Sequence, residues 1–322
     1  MCKVITINNM SKLVQKINAG DFSSVHINNI NDFYIEFKAI VGLYNDDGFG
    51  MACVNDDTNE IASYHQLNTW DDLNLNGEIK INSAYDFPCF DNVGSTYKSH
   101  LVEAFQSPTM LIAHSRTSTN DISLDHVHPF ISEDKQNAFI HNGVIKSPDA
   151  ECFIDTDDLK TNNDSELLSE LYWTLGTDVT QVVTGYMATM NLGYDIDGNG
   201  QIEIIRDDTA ELYSFYCGAL ETYIIGTTEN MICDLMDVLG YLVKKSDIVP
   251  IKDLVSFKID SMGILDCSVV SALADCSLSA KEELAFKDYA PKSVGTANKK
   301  SVKKYMYDNY DSEEYDAWKY AK

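Results

Sequence analysis

Two short runs, residues 111–113 and 138–140, are apolar without interruption, and each ends at a histidine, His114 or His141. Runs this short, closed by polar residues, read as buried strands with loops at their ends that carry function. Val4-Ile5-Thr6-Ile7 is another β-rich run. Residues 51–54, 187–194, 201–206, 210–217, 222–226, 248–250 and 255–259 read as further strands. Residues 34–43 read as extended or mixed, and 60–95 as strand fragments and loops. Helical apolar spacing covers 9–19, stopping at Gly20, then 165–175 with Asp164 at the cap, and 229–242. Shorter helices are expected over 100–106 and 281–288. Many strands with helices at intervals predict an α+β fold with largely antiparallel sheets.

At 322 residues, with 44% apolar and 23% charged positions, the chain can bury a sizeable core. Its charge is lopsided: 50 acidic against 24 basic residues give a formal net charge of −26. Such a surface repels phosphate backbones and anionic lipid, which argues against nucleic acid and membrane partners. The sequence shows neither an apolar run long enough to span a bilayer nor a secretory signal. Eight cysteines without paired zinc spacing read as reduced thiols of a cytoplasmic protein, and no metal or cofactor is expected.

Cys2 changes this picture. Removal of Met1 leaves a cysteine carrying both a thiol and a free α-amine, a nucleophile with its own base. Further along stand Asp47-Gly48-Phe49-Gly50, His114-Ser115-Arg116-Thr117-Ser118-Thr119, His128-Pro129-Phe130, His141-Asn142-Gly143-Val144-Ile145 and Asn163-Asp164-Ser165-Glu166. In this order the segments resemble the glutaminase domain of class II glutamine amidotransferases, which are N-terminal nucleophile hydrolases. The likeness spans residues 2–265.

The resemblance implies a four-layer αββα sandwich and a division of labour. Cys2 would attack the glutamine carboxamide, and Asn142 and Gly143 would donate to the oxyanion. Losing one such donor costs about 2.7–4 kcal/mol of transition-state stabilisation. Arg116 would hold the α-carboxylate through a bidentate fork, supported by Thr119, and Asp164 would pair with the α-ammonium. Helix capping is a competing role for Asp164. Amine and thiol have reference pKa values of about 8 and 8.5, so proton transfer between them is nearly balanced. Where the family carries an aromatic residue after the arginine, this chain has Thr117, leaving that pocket wall open. His114, His128 and His141 are expected to order loops rather than to do acid–base chemistry.

Residues 195–206 open like a calcium-binding loop, but Arg206 stands where the bidentate glutamate belongs, so a hairpin turn is expected. Residues 266–322 read as a partly disordered extension whose tyrosines and Trp318 could dock a partner. No synthetase, phosphoribosyl or isomerase motif accompanies the glutaminase-like region. The expectation is a glutaminase that serves a separate ammonia-acceptor enzyme or hydrolyses glutamine alone; homo-oligomerisation is open. Two rivals stand beside it: an amidohydrolase of the same fold acting on another amide, and a non-catalytic partner-binding protein.

Overall fold

A computed structural model describes residues 2–42, 45, 47–54, 61–66, 73–75, 79–81, 105–117, 123–147, 149–270 and 273. Among these, two antiparallel sheets dominate a mixed α and β architecture. The first sheet contains β1 (Lys3–Ile7), β2 (Gly48–Val54), β3 (Ala62–Gln66), β6 (Met110–Arg116), β11 (Tyr213–Cys217), β12 (Thr222–Gly226) and β13 (Val249–Pro250), in the order β13-β11-β12-β1-β6-β2-β3. The second contains β7 (Phe130–Ile131), β8 (Asn137–Lys146), β9 (Thr184–Tyr194), β10 (Gly200–Arg206), β14 (Val255–Ile259) and β15 (Ile264–Val269), in the order β15-β14-β10-β9-β8-β7. The strands β4 (Leu73–Leu75) and β5 (Ile79–Ile81) pair with each other.

Alternation decides which side chains go where. Ile5 and Ile7 of β1, Met51 and Cys53 of β2, and Leu111 and Ala113 of β6 join one core. That core is packed by α1 (Ser11–Ala19), α2 (Ile30–Val41) and α4 (Glu229–Val238). Phe139 and Ile145 of β8, Met187 of β9 and Ile205 of β10 join another, packed by α3 (Asp164–Leu175). Intervening residues such as Val4, Ala52, Ile112, Ile140 and Met190 are fully buried as well. Strands β1 and β6 also touch β8, and β2 touches β9. Burial on both faces explains why the central runs are continuously apolar.

Of residues 34–43, expected as extended or mixed, 34–41 prove helical. The Asn29 side chain caps α2 by accepting from the backbone N–H of Asn31 and Asp32 at 2.8 and 3.0 Å. Ile30, Phe33, Tyr34, Phe37 and Val41 then fall on one buried face. Their aromatic and β-branched character suggested a strand, whereas their spacing suits a helix. Phe33 stacks on Phe37 with ring centroids 5.6 Å apart, and Tyr34 donates to the Phe105 carbonyl at 2.9 Å.

The turn at residues 195–199 is a hairpin between β9 and β10. Asp195 accepts from the backbone of Asp197 and Asn199, and Arg206 pairs with Asp253 at 2.7 Å. The second sheet runs past residue 265 through β15, and Val270 and Leu273 join the core against α3. The rest of the expected extension lies outside the described residues, as do the helix expected at 281–288 and most of the one at 100–106. No described helix is long and apolar enough to cross a membrane.

Two glycines admit the segment that carries His128. A Cβ on Gly50 would lie 1.9 Å from the His128 carbonyl oxygen, and one on Gly48 would lie 2.8 Å from a Val127 methyl. The His128 ring packs edge-on against His114, centroids 3.9 Å apart. Gly50→Ala is therefore expected to destabilise the protein by at least about 1–3 kcal/mol, because backbone would have to move. Gly218→Ala, whose Cβ would meet nothing nearer than 4.0 Å, serves as the control, expected within about 0.5 kcal/mol. Urea unfolding of the two variants measures the difference.

His114, His128 and His141 are at most 3% exposed. Burial holds each imidazole below its ordinary value, and for His114 and His128 the neighbouring histidines and Arg116 push the same way. The folded rings are neutral at a pH where the unfolded chain would already take up protons. Stability from this source is complete above about pH 6.5 and is lost as pH falls below it. Asp207, pushed up to about 6 by burial, and Glu170, raised by burial, act in the opposite sense, while buried His65, also lowered, acts with the three. In about 1 M salt, which screens surface repulsion to a Debye length of about 3 Å, the thermal midpoint should fall between pH 7 and pH 5. A flat or rising midpoint would contradict this.

Candidate active site

The register of the first sheet brings the opening residues to the end of β6. Lys3 pairs with Ser115 and Val4 with His114, so Cys2 lies across from Arg116 by continuation. On the other side of β6, Gly48 pairs with Arg116. Directly opposite residues share a face, with Cβ atoms about 4.5–5.5 Å apart. Cys2, Arg116 and Gly48 thus form one row, and Val4, His114 and Gly50 the next.

Cys2 is half-buried, and its thiol donates to the Thr117 carbonyl at 3.8 Å. Burial pushes the thiol up from its ordinary value, with Asp164 adding to the rise and Arg116 opposing it. A thiol held neutral needs a base before it can attack. Arg116 is 4% exposed. Burial lowers its guanidinium, while Cys2, Asp47 and Asp164 act to keep the charge. Cys2, Arg116 and Asp164 therefore lie within electrostatic reach of one another, although they come from the start of β1, the end of β6 and the start of α3. Asp47 belongs to the same group. Its place in the Asp-Gly-Phe-Gly turn was the available signal for it.

Asn142 and Gly143 lie on β8, opposite Ala188 and Met187 of β9. Asn142 is 1% exposed, and neither its amide nitrogen nor its oxygen has a hydrogen-bond partner among the described residues. A buried carboxamide left unsatisfied costs about 1–3 kcal/mol. Gly143 has a packing reason to be glycine, since a Cβ there would lie 2.1 Å from the Tyr186 carbonyl oxygen. Two residues on, Ile145 N–H donates to Asp164 Oδ2 at 2.9 Å, fastening β8 to α3. Capping of α3 falls to Asn163 rather than Asp164: its side chain accepts from Ser165 N–H at 2.9 Å. Asp164, first in the helix, is thereby left facing the site.

The hydroxyl of Thr117, next after Arg116, donates to Asn45 Oδ1 at 2.8 Å. Asn45 donates onward to Ser115 Oγ at 2.9 Å, and Ser115 donates to the Val41 carbonyl at 2.6 Å. A polar chain thus anchors the end of β6 to the end of α2. Thr119 lies outside the described residues. A cleft of about 230 Å³ under the last turn of α3, beside Trp173, Asn137, Asn191 and Glu203, includes none of the candidate site residues. Its polar groups largely satisfy one another: Trp173 donates to Asn191, and Asn191 to Asn137, both at 3.0 Å. No group of three or more His, Cys, Asp or Glu among the described residues could hold a metal ion.

No protein-family description and no curated protein matches this sequence. Solved structures do. An allosteric regulatory enzyme of purine biosynthesis is 13% identical, with a TM-score of 0.52 over 85% of this chain and 50% of that one. Glutamine phosphoribosylpyrophosphate amidotransferase from B. subtilis, solved with ADP and GMP, is 14% identical, with a TM-score of 0.49 over 84% and 49%. A glutamine aminotransferase class-II domain protein from Silicibacter pomeroyi is 11% identical, with a TM-score of 0.43 over 84% and 100%. The chain spans about half the length of the first two. It shares the fold of about half of the allosteric regulatory enzyme of purine biosynthesis.

Proposed function

We propose that this chain is a glutaminase of the class II amidotransferase type, built as a four-layer αββα sandwich, that supplies ammonia to a separate acceptor enzyme. The observation that carries the reading is the meeting of Cys2, Arg116 and Asp164 from three distant parts of the chain. Packing of α1, α2 and α4 on one sheet and α3 on the other, with strands of the two sheets in contact, supports the layer order.

In this reading Met1 is removed and the freed α-amine of Cys2 takes the thiol proton, directly or through a water. The sulfur adds to the side-chain amide carbon of glutamine. The resulting oxyanion accepts from Asn142 Nδ2 and the Gly143 N–H, and the unsatisfied Asn142 amide supports this role. Collapse breaks the C–N bond, the terminal ammonium gives its proton to the leaving nitrogen, and ammonia departs. Water then hydrolyses the thioester to glutamate. Arg116 grips the α-carboxylate with support from Thr119, and Asp164 pairs with the α-ammonium. One carboxylate oxygen of Asp164 already accepts from Ile145, so its direction toward substrate is fixed beforehand.

Purified protein should convert glutamine to glutamate and ammonia, and its intact mass should lack Met1. Cys2→Ala should abolish turnover; activity in that variant, or in protein retaining Met1, would contradict the reading. Arg116→Lys should raise KM for glutamine by roughly tenfold to a hundredfold, since charge-assisted hydrogen bonds contribute about 1.5–3 kcal/mol. If Arg116→Lys leaves KM unchanged while an acyl amide is cleaved faster than glutamine, the substrate is another amide.

A further inference from the structure

Two hydrogen bonds bracket the Asn142–Gly143 pair, one on each side, and both end in the first turn of α3. Upstream, His141 Nδ1 and Ser165 Oγ lie 2.9 Å apart, both groups buried. Downstream, Ile145 N–H donates to Asp164 Oδ2 at 2.9 Å. Ser165 Oγ also lies 3.5 Å from Asp164 Oδ1. The serine backbone is itself held by the Asn163 cap, and Asn163 Nδ2 donates to the His126 carbonyl at 3.4 Å. A Cβ on Gly143 would lie 2.5 Å from His141 Nε2, so the imidazole lies directly against the glycine as well.

We propose that Ser165 is a positioning residue, which through the His141 ring holds the oxyanion-donating pair at a fixed distance from the carboxylate of Asp164. This rests on the glutaminase reading above. Helix capping does not account for the hydroxyl, because Asn163 caps α3 and the serine side chain points at the neighbouring strand. Without the bond, β8 keeps its ladder to β9 and the packing of Phe139 on Tyr172 but loses its upstream polar tie to α3, so the Asn142 amide is less firmly held. A displacement of about 1 Å at such a donor costs up to about a hundredfold in rate. The donors act on the oxyanion, which exists only after attack, so the loss falls on kcat and spares substrate binding.

The test is steady-state glutamine hydrolysis by Ser165→Ala, Ser165→Thr and Ser165→Cys in the full-length, processed protein. Ser165→Ala should lower kcat about tenfold with KM changed by less than about twofold, and Ser165→Thr, which keeps the hydroxyl, should restore most of the rate. In an Asn142→Ala background, Ser165→Ala should cost less than in the unmodified protein, because only the Gly143 N–H then remains to be positioned. An alanine variant with a lower thermal midpoint but wild-type kcat would overturn the proposal, as would equal loss in the alanine and threonine variants. Should the alanine variant not fold, Ser165→Cys decides, since it keeps the volume but bonds weakly: full kcat overturns the proposal and reduced kcat supports it. Failure of the glutaminase reading is separable, because the unmodified protein would then release no glutamate.

Discussion

The pairing of β1 with β6 admits one register, and the candidate site depends on it. Ile5 and Ile7 face the core packed by α1, α2 and α4, while Val4 and Thr6 face the other way. A slip of one residue would turn both isoleucines out of that core and turn Cys2 away from Arg116. Burying an isoleucine contributes about 1.5–3 kcal/mol, so the slip would forfeit several kcal/mol of a total that is commonly about 5–15. The thiol is therefore aimed by two apolar side chains that take no part in the chemistry. The same register puts His114 beside Gly50, where the absence of a Cβ lets His128 cross β2.

Charge at the site follows from its depth. Burial favours the neutral thiol of Cys2 and works against the cation of Arg116, and the carboxylates of Asp47 and Asp164 help to retain the latter. A guanidinium stays protonated under such pressure where an ammonium would not. The result is a thiol held toward its neutral form beside a retained cation, in a chain whose formal charge is −26. The anionic surface cannot by itself concentrate a carboxylate substrate, so recognition of one has to come from the local guanidinium.

Much of this was legible in the chain. The apolar runs ending at His114 and His141 are strands β6 and β8, and the hairpin at 195–199 follows from Arg206 occupying a ligand position. Other features were hidden because they depend on partners far away in sequence. Residues 34–43 looked extended because Tyr, Phe, Ile and Val favour strands locally, yet Asn29 and the buried stripe of α2 outweigh that preference. Asp164 looked like a cap until Asn163 was seen to accept from Ser165, which frees the aspartate to hold Ile145. Likewise, the His141–Ser165 bond joins residues 24 apart, and neither residue type announces the other. Thr117 acquires its meaning only from Asn45, 72 residues away in sequence.

The central claim is that the Cys2 sulfur faces a glutamine amide held by Arg116 and Asp164. Exposure to a glutamine-derived diazoketone, followed by peptide mass mapping, tests it most directly. The account predicts one adduct, on the sulfur of an amino-terminal Cys2, suppressed by excess glutamine. Labelling of the exposed Cys152 or Cys267 with Cys2 untouched would contradict it.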